Sequence, residues 1–394
     1  MKKKLLSVVL ATTMVASLLA GCGSKTSETG NADGEQSGST GAVFKIGGIG
    51  PTTGDAAIYG LSVKNAAQLA VDEINAAGGI NGAKIEFNFQ DDEADSEKAV
   101  NAYNTLKDWG VQTLLGTVTS TPCIAVAEKT AQDGVFQLTP SGSAVDCVTN
   151  DNVFRVCFSD PNQGAASAAY IAKNDLAKKV AVIYNSSDVY SSGIYEKFAA
   201  EAAAQGLEIV AAEAFTADSN KDFTVQVQKA KDSGAELLFL PIYYTEASLI
   251  LAQAKTANLD VTFFGCDGLD GILGVENFDK SLAEGVMLLT PFAADAEDDL
   301  TKNFVDAYKS AYGDTPNQFA ADAYDGIYAI KAACEKKNVT ADMSASEIGE
   351  LLKGAMTEIS VDGLTGSGMT WTADGEPNKE PKAVVIENGV YKMQ

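Results

Sequence analysis

The chain has 394 residues, 46% of them hydrophobic and 21% charged, with a formal net charge of -24 and no histidine. These values exclude a disordered chain and leave room for two or three globular domains. The acidity argues against a nucleic-acid partner, whose phosphates need Lys and Arg, and against a globular surface that holds anionic lipid. Without histidine there is no Ser-His-Asp triad, no His-paired cysteine nucleophile and no imidazole zinc site. Carboxylate chemistry remains open, but an enzyme is disfavoured, and neither cofactor nor metal is expected. The cysteines are Cys22, Cys123, Cys147, Cys157, Cys266 and Cys334, with no CxxC pair among them. Small buried thiols are the expected reading for most of them, and their pairing stays open.

In chain order, Lys2, Lys3 and Lys4 form a basic start, and Leu5 to Ala20 an apolar run too short for a comfortable membrane span. Leu19-Ala20-Gly21-Cys22 resembles the lipobox of bacterial lipoproteins. The resemblance implies that 1–21 is a signal peptide, that Cys22 is acylated, and that the lipid anchors the chain to the extracytoplasmic face of a cell membrane. Residues 22–42 are rich in Gly, Ser and Thr and read as a flexible tether, about 25 Å long as a random coil.

From Val43 a strand–helix rhythm sets in. Strands are expected at 43–49, 84–89, 111–115 and 135–138, and helices at 61–77, 96–109 and 121–132. The first helix is marked by Val63, Ala66, Ala67, Ala70, Val71 and Ile74, and is stopped by Gly78-Gly79. The rhythm restarts after Asp160-Pro161, with helices at 163–174, 192–205, 223–232 and 246–257. Strands fall between them at 179–184, 208–215, 236–240 and 261–264. Residues 296–354 read as mostly helical, Asp295 to Asp299 as an acidic helix start, and 382–386 as a late strand. Such alternation predicts an α/β chain of two doubly wound parallel-sheet lobes, with ligands bound at the carboxyl ends of strands.

The loops at those ends carry the chemistry. Ser120-Thr121-Pro122 reads as a helix start with Ser or Thr as cap, where free amides and the dipole favour an anion. Thr139-Pro140-Ser141-Gly142-Ser143 offers hydroxyls and amides with little bulk. Asp267, after Phe263-Phe264-Gly265-Cys266, can pair with an ammonium in a partly dry cleft. Tyr59, Tyr190 and Tyr243 can form an apolar wall with polar tips. Plain capping, turns and core packing would account for each of these residues singly. The acids Asp91, Asp92, Glu93 and Asp95 lack the glycine and spacing of a calcium loop and read as a solvated loop.

Several stretches together resemble the leucine/isoleucine/valine-binding proteins of branched-chain amino acid ABC importers, which have the periplasmic binding protein type I fold. They are IGGIGPTTGDAAIYG (46–60), GLSVKNAAQLAVDEINAAGGINGAKIEF (60–87), DDEADSEKAV (91–100), TSTPCIAVA (119–127), LTPSGSA (138–144), FRVCFSDPNQG (154–164) and YTEASLILAQAKTANL (244–259). The resemblance covers roughly 43–375. It implies two lobes joined by three crossovers, lobe one from 43–159 plus 291–367 and lobe two from 160–290 plus 368–394. It places Ser120, Ser141, Gly142 and Ser143 beside a ligand carboxylate, and Tyr59 at the pocket mouth. Tyr190, Tyr243 and Asp267 would reach from lobe two, the last two to the ligand amine. The family often has Glu at the position of Asp267, so the arm here is shorter. The family's disulfide positions are Ala94 and Thr119 here, so that bridge is absent. The resemblance implies a monomer that hands a small amino acid, aliphatic by preference, to importer permease subunits. An amide, a short peptide, another amine-bearing solute, and a role as a ligand-sensing surface lipoprotein stand as alternatives.

Overall fold

β1 (Val43–Gly50) starts the first sheet, with Ile46 and Ile49 fully buried, as expected for a strand covered on both faces. The computed structural model describes residues 41–394, so the expected signal peptide, tether and acylated Cys22 lie outside the described residues. After β1 come α1 (Ala57–Ala76), β2 (Lys84–Asp91), α2 (Ser96–Trp109), β3 (Thr113–Gly116), α3 (Ser120–Asp133), β4 (Phe136–Thr139) and β5 (Val153–Arg155). The five strands are parallel in the order β2-β1-β3-β4-β5. The order reverses direction at β1, which opens a crevice between the carboxyl ends of β1 and β3.

α4 (Asp160–Lys173), β6 (Lys179–Asn185), α5 (Val189–Ala202), β7 (Glu208–Phe215), α6 (Thr224–Asp232), β8 (Leu237–Leu240), α7 (Tyr244–Ala257), β9 (Thr262–Gly265) and β10 (Met287–Thr290) build the second lobe. The chain then returns to the first lobe with α8 (Asp299–Tyr312), α9 (Gln318–Lys336) and α10 (Ala345–Met356); α9 packs on α1, and α10 on β4. It crosses a third time into β11 (Lys382–Glu387) and β12 (Val390–Met393). The second sheet runs β12-β11-β10-β9-β8-β6-β7, and its switch point lies between β6 and β8.

The rhythm in the sequence is present, with β5, β10 and β12 added to it. The second sheet is mixed rather than purely parallel: β11 is antiparallel to both β10 and β12. Asn388-Gly389, both at positive φ, joins β11 to β12 in the two-residue turn that the strand twist favours. Asp298 caps α8 by accepting from the Thr301 amide, in keeping with the acidic helix start. The acidic loop differs from its sequence reading. Asp92 is buried, accepts from the Ala94 amide, and is pushed up to about 7 by burial. The reason is that the turn through Glu93 and Ala94, both at positive φ, folds the side chain inward. All five described cysteines are buried free thiols. Among the described residues, no helix is long and apolar enough to cross a membrane.

Two buried cations fasten the crossovers. Arg155, at the end of β5, donates to the carbonyls of Gly142 (3.1 Å) and Ala144 (3.0 Å) and meets Glu376 at 3.2 Å. Its own backbone is held by the third crossover, through the Trp371 indole and the Gly375 carbonyl. Lys379 donates to Asp322 on α9 at 2.8 Å and to Thr365, both acid and base being almost fully buried. Removing one partner of a buried pair strands the other charge, which costs about 3–5 kcal/mol. Lys379→Met is therefore expected to lower unfolding stability by about that much in urea melts. Combining it with Asp322→Leu should recover part of the loss, because the Asp322 carboxylate is then not left unpaired, while buried Asp325 still lacks the Lys379 charge.

Candidate functional site

The two switch points face each other, and the strand-end loops meet between the lobes. One cavity is lined by Tyr59, Ser120, Ser141 and Ser143 from the first lobe and by Tyr190, Tyr243 and Asp267 from the second. Seven of the eight residues singled out in the sequence thus share one enclosure. The eighth, Gly142, stands behind the wall with its carbonyl on Arg155. A Cβ there would lie 2.9 Å from the Cys123 sulfur, so the close approach of this loop to α3 requires glycine. The enclosed space is about 10 Å³, room for about one water. A larger surface cleft of about 620 Å³, at the amino ends of β8 and β9, holds none of these residues.

The first-lobe side is a set of donors. Ser120 does not cap α3 as the sequence suggested. Thr119 occupies the cap position without a side-chain bond, and Ser120 is the first helical residue. The Ser120 hydroxyl instead accepts from the Ser143 (3.2 Å) and Ala144 (3.1 Å) amides. With both lone pairs engaged, its proton is left to donate. The Ser141 hydroxyl donates to the Val118 carbonyl at 2.7 Å, and the Gly142 amide to the Thr139 hydroxyl at 2.7 Å. These bonds fix a tight loop across the uncapped amino end of α3, where the dipole favours negative charge.

The second-lobe side is acidic. Asp267 is 3% exposed and accepts from the Tyr190 hydroxyl at 2.7 Å, while its amide donates to Gln163 at 3.1 Å. Burial pushes its carboxyl up to about 7, although the bonds from Tyr190 and Gln163 pull the other way. Tyr190 stacks on Tyr243 with centroids 4.9 Å apart. Tyr59 lies against Phe319 at 4.3 Å and donates to the Gly268 carbonyl across the cleft. The Tyr244 amide donates to the Tyr59 hydroxyl and the Tyr244 hydroxyl accepts from the Ile58 amide, so α1 and α7 are joined directly.

Sequence reasoning missed Phe319, Gln163 and Asp160. Phe319 lay inside a long helical stretch with nothing to mark it. Asp160 was visible as the acid before Pro161 at a helix start. It is 1% exposed, and neither carboxyl oxygen has a hydrogen-bond partner among the described residues. Burial raises its pKa well above the usual carboxylate range; the nearby Ser143 hydroxyl and Arg155 charge oppose the rise and the Asp267 charge adds to it. No Lys or Arg forms an ion pair with Asp160 or Asp267 among the described residues. Donors on one wall and the Asp267 carboxyl, without a cation, on the other suit a small solute with an anionic and a cationic end.

The family model for periplasmic binding proteins matches residues 43–389. This chain belongs to that family. Leu/Ile/Val-binding protein homolog 3 of Brucella melitensis is 32% identical over 331 residues, covering 82% of this chain and 87% of the relative. The leucine-, isoleucine-, valine-, threonine- and alanine-binding protein of Pseudomonas aeruginosa is 30% identical over 295 residues, covering 74% and 78%. Among solved structures, the branched-chain amino acid transporter substrate binding protein LivJ of Streptococcus pneumoniae, in complex with isoleucine, superposes with a TM-score of 0.81. It is 29% identical, over 89% of this chain and 98% of that one. Within the family, the chain stands with the Leu/Ile/Val-binding proteins.

A binding protein of this kind carries a buried acid whose folded-state pKa exceeds its unfolded value. Such a group stabilises the fold fully below about pH 4 and progressively less as pH rises through about 7. Asp267→Asn removes that dependence. Relative to the parent, the variant without ligand is expected to melt several degrees higher at pH 8 than it does at pH 5. A difference that is the same at both pH values would show that Asp267 ionises freely in the fold.

Proposed function

We propose that this chain is the extracytoplasmic solute-binding component of an ABC importer and captures a small amino acid, aliphatic by preference. The carrying observation is the polarity of the cavity between the lobes, with serine hydroxyls on the first-lobe wall and the buried Asp267 carboxyl on the second. A zwitterion satisfies both ends at once, and the relatives are named for aliphatic amino acids. The lobes are assigned as 43–159 plus 291–367 and 160–290 plus 368–394. Export through the 1–21 signal, acylation of Cys22 and the 22–42 tether keep the binding domain beside its permease. The role needs neither turnover nor a cofactor, and it fits a monomer.

In this reading the carboxylate docks first, on Ser120, Ser143 and the amide loop. The second lobe then closes with Tyr190, Tyr243 and Asp267, which favours the closed form by the difference in contacts. Phe319, Tyr59 and Val118 supply the apolar wall for the side chain. Asp267 favours an amine-bearing solute over a simple carboxylic acid, and any solute enters with the lobes apart, since the enclosure as it stands has room for about one water.

A thermal-shift screen against the common amino acids, amides, short peptides and aromatic acids tests the proposal. A ligand at 100 times its Kd adds about 2.7 kcal/mol of stability. A shift is expected with Leu, Ile, Val or Ala and not with simple acids. Asp267→Ala should weaken binding by about 2–5 kcal/mol, since it removes the buried partner of the ammonium. The ammonium requires ionised Asp267, so affinity should fall as pH drops below about 7, with proton release on binding near pH 6. No shift with any amino acid would overturn the assignment.

A further inference from the structure

Behind the donor wall lies a second feature that amino acid capture does not use. Cys123 sits one turn into α3, and Cys147 in the short 3-10 helix Val145–Val148 that follows the Ser141–Ser143 loop. Both are fully buried, and with Ala144 they form a small cluster of their own, separate from the main cores. The Cys147 thiol lies 3.6 Å from the Ser120 carbonyl, and the Cys123 sulfur accepts from the Gln137 amide at 3.5 Å. Their surroundings differ from those of Cys157, Cys266 and Cys334, none of which shares a cluster with another cysteine.

We propose that Cys123 and Cys147 form a redox-modifiable dithiol that low-molecular-weight disulfides oxidise to an intramolecular bridge, which locks the donor loop onto α3. The chemistry balances. One thiolate attacks a sulfur of the small disulfide and expels one small thiol; the second protein thiolate then displaces the other. One S–S bond forms in the protein and one breaks in the oxidant. Two electrons and two protons leave the protein for two molecules of small thiol.

Three observations support it. First, both thiols belong to one small buried cluster, and the Cys147 sulfur reaches the Ser120 carbonyl in the first turn of α3, the helix that carries Cys123. Burial raises the Cys147 pKa, so the first attack is assigned to Cys123. Second, the cover is thin. Ile124, Ala144 and the half-exposed Val145 line a groove of about 450 Å³ that opens to solvent between the lobes. Third, the family works outside the cytoplasm, where disulfides persist. The bridge would close a ring around Ser141, Gly142 and Ser143, the loop that lines the cavity and whose amides hold the Ser120 hydroxyl.

The test is differential alkylation and peptide mass spectrometry on the full chain, refolded in reduced or oxidised glutathione. This measurement is independent of any ligand, so it stands whether or not an amino acid binds. The expected result is loss of alkylation at Cys123 and Cys147 together, a linked peptide joining them, and unchanged thiols at Cys157, Cys266 and Cys334. The bridged protein should melt higher by on the order of 5 °C, reversed by dithiothreitol. Cys147→Ser should leave Cys123 alkylated and abolish both the link and the reversible shift. Free thiols at both Cys123 and Cys147 after oxidation, a stable glutathione adduct on either cysteine alone, or a bridge involving any other pair would each overturn the proposal.

Discussion

Asp267 is the constraint around which the cleft is arranged. An ionised carboxylate loses several kcal/mol when it leaves water unless partners replace the lost hydration. Here the partners are a tyrosine hydroxyl and a backbone arrangement pinned by Gln163, and no cation is among them. The group resolves the conflict by holding its proton more tightly, so its carboxyl sits near 7. Asp160, also buried, answers the same conflict in the same way: burial raises its pKa well above the usual carboxylate range and holds it neutral. The cleft is thus short of one positive charge, and an ammonium supplies it in a setting of low dielectric where such a bond is strong.

That shortage shapes the rest of the molecule. A site that only becomes complete when two walls meet needs lobes that move apart and return in register. The three crossovers provide this, and their buried anchors define what stays fixed. Arg155 ties the end of β5, the donor loop and the third crossover into one body. Lys379 ties the same crossover to α9 through Asp322 and Thr365. Most polar atoms of these charged groups find partners within the joint, the Arg155 Nε being the exception. The direct α1–α7 contacts, by contrast, are a few hydrogen bonds and edge-on aromatic packings at the mouth, which can separate at little cost.

Much of this was legible in the sequence because parallel sheets leave a strong pattern. Buried strands read as apolar runs, and the helices between them carry one apolar stripe. The ladder from β1 to β9 therefore emerged nearly complete, apart from β5, whose three residues are too short to carry periodicity. β10 is four residues, an apolar run between Gly285 and Pro291 that is short but bounded as a buried strand should be. β12 is different: Asn388-Gly389 between β-branched and aromatic residues is a strong hairpin signal, so this strand is marked in the sequence. In the site, positions at strand ends could be named from the sequence, but roles could not. Ser120 has cap chemistry, yet its hydroxyl serves two amides of a loop 23 residues away, a tertiary bond invisible to local reasoning. Asp92 and Asp160 look like solvated acids because nothing local distinguishes a carboxylate turned inward from one turned outward.

The geometry also sets how the site selects. In the proposed role, the donor loop and the acid wall would recognise what every free amino acid shares and would give affinity without discrimination. Discrimination is left to Phe319, Tyr59 and Val118, which are apolar or present a ring face, and whose packing fixes the width of the slot. A hydrophobic slot separates side chains by only about 1–3 kcal/mol per methylene. Graded preference among aliphatic side chains is therefore the natural outcome. A polar side chain meets a harsher rule, because its groups would be buried in the slot without partners. The slot is thus expected to be broad within one chemical class and closed to others, and that breadth follows from placing all the directional bonds at the backbone end of the ligand.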